Sequence, residues 1–474
     1  MPIFRTILLG FFSCLLLSLG GCRERQAEHT DDGRLVIHYW EKWTGFEGDA
    51  MQAVVDTFNA GQDRIFVKKL TVSQIDQKLM LATAGGNPPD LAGLWSHSIV
   101  DFAGKGALTP LDRMLTEAGI SRDDYIPVYW DLCEYRGFVW GLPTTPATVA
   151  LHWNRKMFRD AGLDPDHPPR SIEELEVMNE RLTVVELARD EEKVRVRYSD
   201  LTHVEKEARD FRVLEVGHLP QQPGWWMPMW CFWFGGDLWD GRSELTADSP
   251  EMIRTYEWFA RQSEKYGVDN LRGFRAGFGN FSSPQNPFLS GKVAMVLQGV
   301  WMNNFIDKYA PHLEWGAAPF PSIDATVLAD VTIAECDVIV MPKGAPNPAA
   351  AFEFLEYLSS QEAMELLNMG QRKFSPLSRT SEQFIVDHPN PHIQVFIDLA
   401  RSPNVHTVPR LPVWAQYRDE LQVAIDKVQS LTAIPGTALA AAQKRASRTL
   451  ERELAIWDRI ENQRLEEWSN YDPR

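Results

Sequence analysis

The chain is 474 residues long, whereas a single hydrophobic core stops growing at about 250–300 residues. The length therefore predicts two lobes or domains. A formal net charge of −17 argues against nucleic acid and anionic lipid surfaces as partners, because polyanions repel such a protein. The 17 Trp residues are clustered along the chain, and Trp is favoured where a flat apolar face meets a partly polar one.

Residues 1–21 are predicted to be a signal peptide. Arg5 supplies a short positive region, and the apolar run 7–19 is too short to span a bilayer, which needs about 20 residues. The run ends in Leu19-Gly20-Gly21-Cys22, which resembles the lipobox of bacterial lipoproteins. The resemblance implies that Cys22 carries a lipid anchor, that residues 22–34 form a tether, and that the protein works in the periplasm or at the cell surface. A plain secretory signal or an uncleaved anchor helix is the alternative.

The chain after residue 34 alternates between strand and helix patterns. Short apolar runs bounded by turn residues predict strands, and apolar residues on one face predict helices. A β-α-β-α-β order is typical of an α/β lobe with a largely parallel sheet. The segments are strand 35–40, helix 49–59, strand 65–72, helix 75–84 and strand 91–95.

The later segments differ in character. The stretch 183–218 is so highly charged that we interpret it as a surface insertion, a solvated helix plus a hairpin, without chemistry of its own. Residues 220–241 hold the densest aromatic cluster, and residues 248–266 are predicted to form an amphipathic helix. Helical segments from Val413 to Trp468 are broken near Pro435.

The cysteines outside the signal segment and the lipobox are Cys133, Cys231 and Cys336. They form no C-x-x-C pair and show no zinc-like spacing, so the sequence predicts neither a metal site nor a cofactor. One disulfide and three buried thiols are both compatible with the spacing.

Nine short segments, in colinear order, resemble the extracellular solute-binding proteins of ABC sugar importers, the maltose-binding-like group. Each motif alone is weak, but their shared order across about residues 35–450 is specific. Residues 183–218 depart from the family pattern by their length and charge. The segments are ATAGGNPPD at 82–90, ALTPLD at 107–112, GLPTT at 141–145, LHWNRKMF at 151–158, FGGDL at 234–238, DSPE at 248–251, FLSGKVAM at 288–295, GVW at 299–301 and PNPAAAFEFL at 346–355.

The resemblance implies a two-lobed α/β periplasmic-binding-protein fold of type II, with the ligand held between lobes that hinge chain crossings join. It implies a monomer without enzymatic activity that captures a small solute, most often a mono- or oligosaccharide, and delivers it to the permease subunits of an ABC importer. The predicted boundaries are 35–145 plus 322–375 for the first lobe, 146–321 plus 376–440 for the second, and 441–474 for C-terminal helices.

The candidate ligand contacts are aromatic and polar residues at strand ends or at matched family positions. Flat rings cover the apolar face of a sugar, and polar side chains bond its hydroxyl rim. Core packing is the competing interpretation for every Trp, and we assign it to Trp140, Trp230, Trp233, Trp258, Trp315 and Trp457. The candidates are Trp40, Glu41, Trp43, Trp95, Ser96, Trp225, Trp226, Trp301, Arg410 and Trp414.

Two alternatives stay open. The same fold could bind a polyamine, an amino acid or glycerol phosphate, and Trp40, Glu41 and Trp43 would also suit a polyamine. A secreted glycosidase would need two carboxylates across a substrate. The pairs Asp237/Asp240 and Glu335/Asp337 are close in sequence, but we interpret them as solvated or capping loop residues. The chain has no nucleophile-elbow, zinc-protease or P-loop motif.

We expect Cys22→Ser to abolish incorporation of a labelled fatty acid, because the thiol is the only group in the motif that can carry the diacylglyceryl unit. The matched control is Cys14→Ser, which changes a cysteine inside the signal segment and should leave labelling intact. Persistent labelling of the Cys22 variant would remove the tether from the description.

Overall fold

The computed structural model describes residues 27–471. The signal peptide, Cys22 and the start of the tether lie outside the described residues. The strands are β1 (Leu35–Glu41), β2 (Ile65–Thr71), β3 (Leu91–Trp95), β4 (Glu134–Tyr135), β5 (Phe138–Val139), β6 (Gly141–Pro146), β7 (Val149–Asn154), β8 (Val184–Arg189), β9 (Glu192–Arg197), β10 (Arg212–His218), β11 (Val293–Gly299), β12 (Trp315–Ala318), β13 (Thr332–Ile333), β14 (Cys336–Val340) and β15 (Val405–His406).

Several helices begin at side-chain caps: Ser171, Ser249 and Ser360 each accept a hydrogen bond from the backbone N–H three residues on. Short 3₁₀ turns cover Ser96–Ser98, Arg122–Asp124, Tyr198–Asp200 and Met227–Phe234. The α-helices are α1 (Gly45–Gly61), α2 (Ile75–Ala84), α3 (Ile99–Gly104), α4 (Asp112–Ala118), α5 (Pro127–Cys133), α6 (Arg155–Asp160), α7 (Ile172–Leu182), α8 (His203–Ala208), α9 (Pro250–Tyr266), α10 (Val268–Arg275), α11 (Met302–Tyr309), α12 (Pro348–Leu358), α13 (Gln361–Gln371), α14 (Glu382–Val386), α15 (Ile393–Ala400), α16 (Trp414–Gln429) and α17 (Pro435–Ser469).

The first lobe is built on a five-stranded sheet in the order β2-β1-β3-β14-β6. Strands β1, β2 and β3 are parallel, and β14 runs antiparallel to both β3 and β6. Because parallel strands end at the same edge of a sheet, the residues that follow β1 and β3 lie near one another. This edge faces the second lobe.

The second lobe is built on a six-stranded mixed sheet in the order β12-β7-β11-β10-β8-β9. Its interior holds a large aromatic cluster, in which Trp230, Trp233 and Trp258 are almost fully buried. The two-lobed α/β architecture predicted from the sequence is confirmed.

The charged stretch 183–218 is less of an insertion than the sequence indicated. Strand β10 pairs in parallel with β11 near the middle of the second sheet, so it belongs to the lobe itself. Only the β8–β9 hairpin extends the sheet at its edge, and α8 lies in the connection from β9 to β10. Strand β9 carries Lys193, Arg195 and Arg197 along this edge, and charge there disfavours pairing with another chain.

The chain passes from one lobe to the other several times. Only Ala147 and Thr148 separate β6 in the first sheet from β7 in the second. The sequence interpretation placed residues 376–440 in the second lobe, but part of this stretch belongs to the first lobe. Helix α15 buries Ile393 and Phe396 in the first-lobe core, because its apolar face meets that lobe rather than the second.

Helix α17 joins the lobes along one side. Its first half buries Leu439 and Leu450 in the second-lobe core, and its second half buries Trp457 and Trp468 in the first-lobe core. The predicted separate C-terminal helices are therefore a single helix of 35 residues that begins at Pro435, about 50 Å long at 1.5 Å per residue. Within residues 27–471, none of the helices combines the length and apolar character needed to cross a membrane.

We expect Trp468→Ala to lower the free energy of unfolding by about 3 kcal/mol, because it empties a buried site. The Trp468 ring packs edge-on against Trp140 at 4.7 Å and against Phe138 at 5.5 Å between centroids. Urea unfolding followed by circular dichroism measures the change. The control is Trp225→Ala, the same replacement at a side chain that is 47% exposed. Equal losses for the two variants would show that α17 does not hold the first lobe.

Candidate functional site

A cleft with a volume of about 690 Å³ lies between the two lobes. The first lobe contributes the segment after β1 and the end of β3. The second lobe contributes the aromatic segment around residues 225–229 and the start of α11. Asp337, at the start of β14, and Lys373, after α13, also line it. A volume of this size suits a small-molecule ligand, since such sites are typically 300–1,000 Å³.

Six of the ten predicted contact residues line this cleft: Trp43, Trp95, Trp225, Trp226, Trp301 and Trp414. The first two come from the first lobe and the other four from the second. The cleft therefore has flat aromatic surfaces on both sides. The fold brings these six residues together from widely separated parts of the chain.

On the first lobe, Trp43 and Trp95 form an edge-to-face pair with ring centroids 6.0 Å apart. The Lys42 ammonium lies 5.3 Å from each ring centroid and donates to the Leu94 carbonyl at 3.0 Å. Its side chain is only 4% exposed. The two rings and the cation hold one another in place, because a desolvated cation over a Trp face is favourable.

On the second lobe, the rings of Trp225, Trp226 and Trp301 pack within 6.3–6.4 Å of one another. The Trp301 ring lies over Gly299, where an added Cβ would come within 2.1 Å of it. Gly299 therefore creates the space that the ring occupies. Trp225 is 47% exposed, which leaves much of its surface free for a ligand.

Asp337 is the centre of a buried ionic cluster at the floor of the cleft. It pairs with Lys42 at 3.1 Å and with Lys373 at 3.6 Å, and Lys373 also pairs with Glu47 at 2.9 Å. The indole N–H of Trp43 donates to Asp337 at 3.0 Å, and the Thr145 hydroxyl donates to the same carboxylate oxygen. The cluster thus connects strands β6 and β14, helix α1, and the segments that follow β1 and α13.

The charges in this cluster shift one another's pKa values. Burial by itself raises the pKa of Asp337, but the positive charges of Lys42 and Lys373 outweigh burial and hold that pKa below its usual range. Burial disfavours the charged form of Lys373, yet the charges of Glu47 and Asp337 raise its pKa above the usual value. Both groups are therefore ionised at neutral pH, and Asp337 is unsuited to act as a general acid.

His97 lies beside this cluster, at the rim of the cleft. Its ring stacks on Trp95 and bonds the Glu335 carboxylate at 3.2 Å. Burial lowers the pKa of His97, but the hydrogen bond and charge of Glu335 reverse that effect and leave it raised. Glu335 and Asp337 are therefore cleft residues, and the interpretation of this pair as solvated or capping loop residues is wrong. Asp240, from the other pair, accepts three backbone N–H bonds in a turn.

Four predicted contact residues lie outside the cleft lining. Trp40 packs against the first-lobe core, because it lies within β1, where successive side chains point to opposite faces. Glu41 is 3% exposed and accepts hydrogen bonds from Tyr39 and from the backbone N–H groups of Lys42 and Trp43. Ser96 is buried, and its hydroxyl oxygen accepts a hydrogen bond from the backbone N–H of Cys336 at 3.4 Å.

Arg410 also lies elsewhere. Its guanidinium donates to the backbone carbonyls of Asp131 at 2.6 Å and Glu134 at 3.2 Å, which places it in a bridge between the lobes. The neighbouring residue Arg418 lines the cleft. The two differ because α16 begins at Trp414, so that Trp414 and Arg418 lie one turn apart on a helix and share a face.

Sequence reasoning missed a polar and an aromatic group of cleft residues. Lys373 and Glu47 carry no motif and are separated by 326 residues. Phe46 and Phe305 meet edge-to-face at 6.2 Å across the cleft, and Phe281 lies against Trp225 at 4.6 Å. In the described part of the chain, no group of three or more His, Cys, Asp or Glu side chains is placed to hold a metal ion.

The chain belongs to the family described as bacterial extracellular solute-binding proteins, whose sequence profile matches residues 47–365. The members of this family are binding proteins that work outside the cytoplasm. The maltotriose-binding protein of Pyrococcus abyssi is 22% identical over 339 residues, which cover 71% of this chain and 64% of that protein. The chain therefore spans less than two thirds of this relative.

Solved structures show the same fold. The protein titled CpMnBP1 with mannobiose bound superposes with a TM-score of 0.71 and 23% identity over 87% of this chain and 99% of that one. The sugar-binding protein MalE from Xanthomonas citri gives a TM-score of 0.70 and 18% identity over 89% of this chain and 99% of that one. At these identities the likeness establishes the two-lobed fold.

We expect Asp337→Asn to lower the free energy of unfolding by about 3 kcal/mol at pH 7, because it leaves two buried lysines without their shared carboxylate. The folded-state pKa of Asp337 lies below the ordinary 3.8. Its stabilisation is therefore present above pH 3.8 and is lost as the pH falls through the folded-state pKa.

The difference between wild type and variant should accordingly shrink as urea unfolding is repeated from pH 7 down to pH 3. The control is Asp210→Asn, at an exposed loop position, which should change stability little at any pH. A difference that stays constant with pH would show that the Asp337 charge does not stabilise the fold.

Proposed function

We propose that this solute-binding protein captures an oligosaccharide in the interlobe cleft and delivers it to the permease subunits of an ABC importer. The observation that supports the proposal best is the convergence of six Trp side chains from both lobes on one cleft. A saccharide offers an apolar C–H face to such rings and a rim of hydroxyl groups to polar side chains.

The polar groups of the cleft suit a neutral ligand. Asp337 and Glu47 are already paired with lysines, and Glu335 is bonded to His97. A polyamine would need carboxylates free to meet its ammonium groups, and these three are already occupied. Neutral hydroxyl groups, by contrast, can add hydrogen bonds to groups that are already ion-paired.

Ligand capture proceeds by closure of the lobes, which the ligand can drive only by binding the closed form more tightly than the open one. The contacts across the cleft mouth include an exposed ion pair of Arg372 with Asp307 at 2.5 Å and the ring contact of Phe46 with Phe305. A buried hydrogen bond from the Asn304 amide to the Gln371 carbonyl at 3.0 Å lies beside them. An exposed ion pair of this kind contributes about 0–1 kcal/mol. Opening at the mouth therefore breaks a weak ion pair, a ring contact and one neutral hydrogen bond, which contributes about 1 kcal/mol, while α17 keeps the lobes joined.

The protein acts as a monomer without catalysis, held at a membrane surface by the lipid anchor on Cys22. The acidic surface and the tether agree with a protein that folds in water next to the membrane. A glycosidase is disfavoured, because the charges of Lys42 and Lys373 keep the cleft carboxylate of Asp337 ionised and leave it no proton to donate.

We expect mannobiose, mannotriose or maltotriose to raise the melting temperature by a few °C and to change the Trp fluorescence. A ligand at 100 times its Kd stabilises the folded state by about 2.7 kcal/mol. Spermidine, amino acids and glycerol 3-phosphate serve as the comparison set. A response to one of these compounds, without a response to any saccharide, would overturn the sugar assignment.

We expect Trp301→Ala to weaken saccharide binding at least about tenfold, or 1.4 kcal/mol, because it removes an aromatic surface of the cleft. Trp239→Ala is the matched control: both residues are partly buried Trp side chains packed on the second-lobe core. Trp239 lies away from the cleft, near Arg410. Calorimetry measures the two affinities, and equal Kd values for the wild type and the Trp301 variant would contradict the assignment.

A further inference from the structure

We propose that the ligand is an oligosaccharide long enough to leave the cleft past Trp225 and to continue along a second groove on the second lobe. This second-lobe groove has a volume of about 940 Å³ and is bounded by the segment 221–225, helix α10, the loop 276–288 and the end of α16 at residues 426–430. The inference rests on the proposed function, because it extends the same binding site.

The groove and the cleft are continuous at two aromatic residues. Trp225 and Phe281 line both, and their rings pack edge-to-face with centroids 4.6 Å apart. The Trp225 side chain remains 47% exposed, the largest exposed aromatic ring in the described chain. It thus forms a ridge between the two spaces, on which a sugar ring can stack as the saccharide passes from one to the other.

The groove contains polar groups that have no partner within the protein. Gln221 is only 6% exposed, and its amide oxygen accepts no hydrogen bond among the described residues. The amide nitrogen of Gln429 likewise donates to no described group. The Gln221 oxygen is an acceptor and the Gln429 nitrogen is a donor. Sugar hydroxyl groups can pair with both, because a hydroxyl group donates and accepts hydrogen bonds. Leaving such groups unpaired is costly, so a polar ligand stabilises them.

The charges of the groove favour a neutral occupant. Arg272 is paired with Asp269 at 2.9 Å, and Arg275 and Asp426 are the remaining charged groups of the lining. The two remaining charges are of opposite sign and cancel, so neither an anion nor a cation is attracted overall. Each space alone has the size of a small-ligand site, and the two together exceed what a disaccharide fills. A chain of further neutral sugar units meets all of these conditions.

The test compares saccharide lengths by calorimetry, with manno- and malto-oligosaccharides of two to six units. For the series that binds, the wild-type Kd should fall about tenfold between the trisaccharide and the hexasaccharide. The double variant Gln221→Leu/Gln429→Leu should lose that gain and keep the trisaccharide Kd within about twofold of wild type. Gln221→Leu removes an unpaired oxygen at nearly the same volume, so the fold should be retained, which the melting temperature checks.

The control variant is Arg261→Ala, at an exposed position of α9 outside the groove, which should keep the full dependence on length. A wild-type Kd that does not change with length, or a double variant that keeps the gain, would overturn the groove assignment while saccharide binding stands. If no saccharide of either series binds, both the proposed function and this extension fall together.

Discussion

The arrangement of the cleft depends on one buried carboxylate. Asp337 lies at the start of β14, where burial alone would make its charge costly, and Lys42 and Lys373 compensate that cost. The same contacts also fix the positions of two Trp rings. Lys42 lies between the rings of Trp43 and Trp95, and Trp43 itself donates to Asp337. The aromatic surface of the first lobe is thus held by ion pairs and by directional hydrogen bonds to charged groups, rather than by packing alone.

The second lobe holds its aromatic surface differently. Trp225, Trp226 and Trp301 lean on one another, and Gly299 leaves the space that the Trp301 ring occupies. The lobes meet through contacts of two kinds. At the mouth of the cleft these are an exposed ion pair, one ring contact and one hydrogen bond, whereas on the other side α17 is buried in both cores. This difference allows the mouth to open while the joined side stays intact.

The sequence predicted the fold and six cleft residues, because strand ends and colinear motifs are local signals. Trp43 follows β1 and Trp95 ends β3, and the carboxyl ends of these parallel strands must meet at one sheet edge. Trp40 shows the limit of that rule. It lies within β1, one residue before the strand ends, and its side chain packs against the first-lobe core. Glu47 and Lys373 could not be predicted, because their pairing joins segments 326 residues apart. Asp337 looked like a solvated loop carboxylate for the same reason: its partners come from distant parts of the chain.

Helix α17 has a consequence for how the protein is made. The first-lobe core needs β1 near the start of the chain, β14 in the middle and Trp468 near the end, and the second-lobe core needs the first half of α17. Neither core can be completed until nearly the whole polypeptide is available, and such long-range contacts form slowly. A nascent chain that is still being made therefore holds no finished lobe that would have to be unfolded before transport out of the cytoplasm.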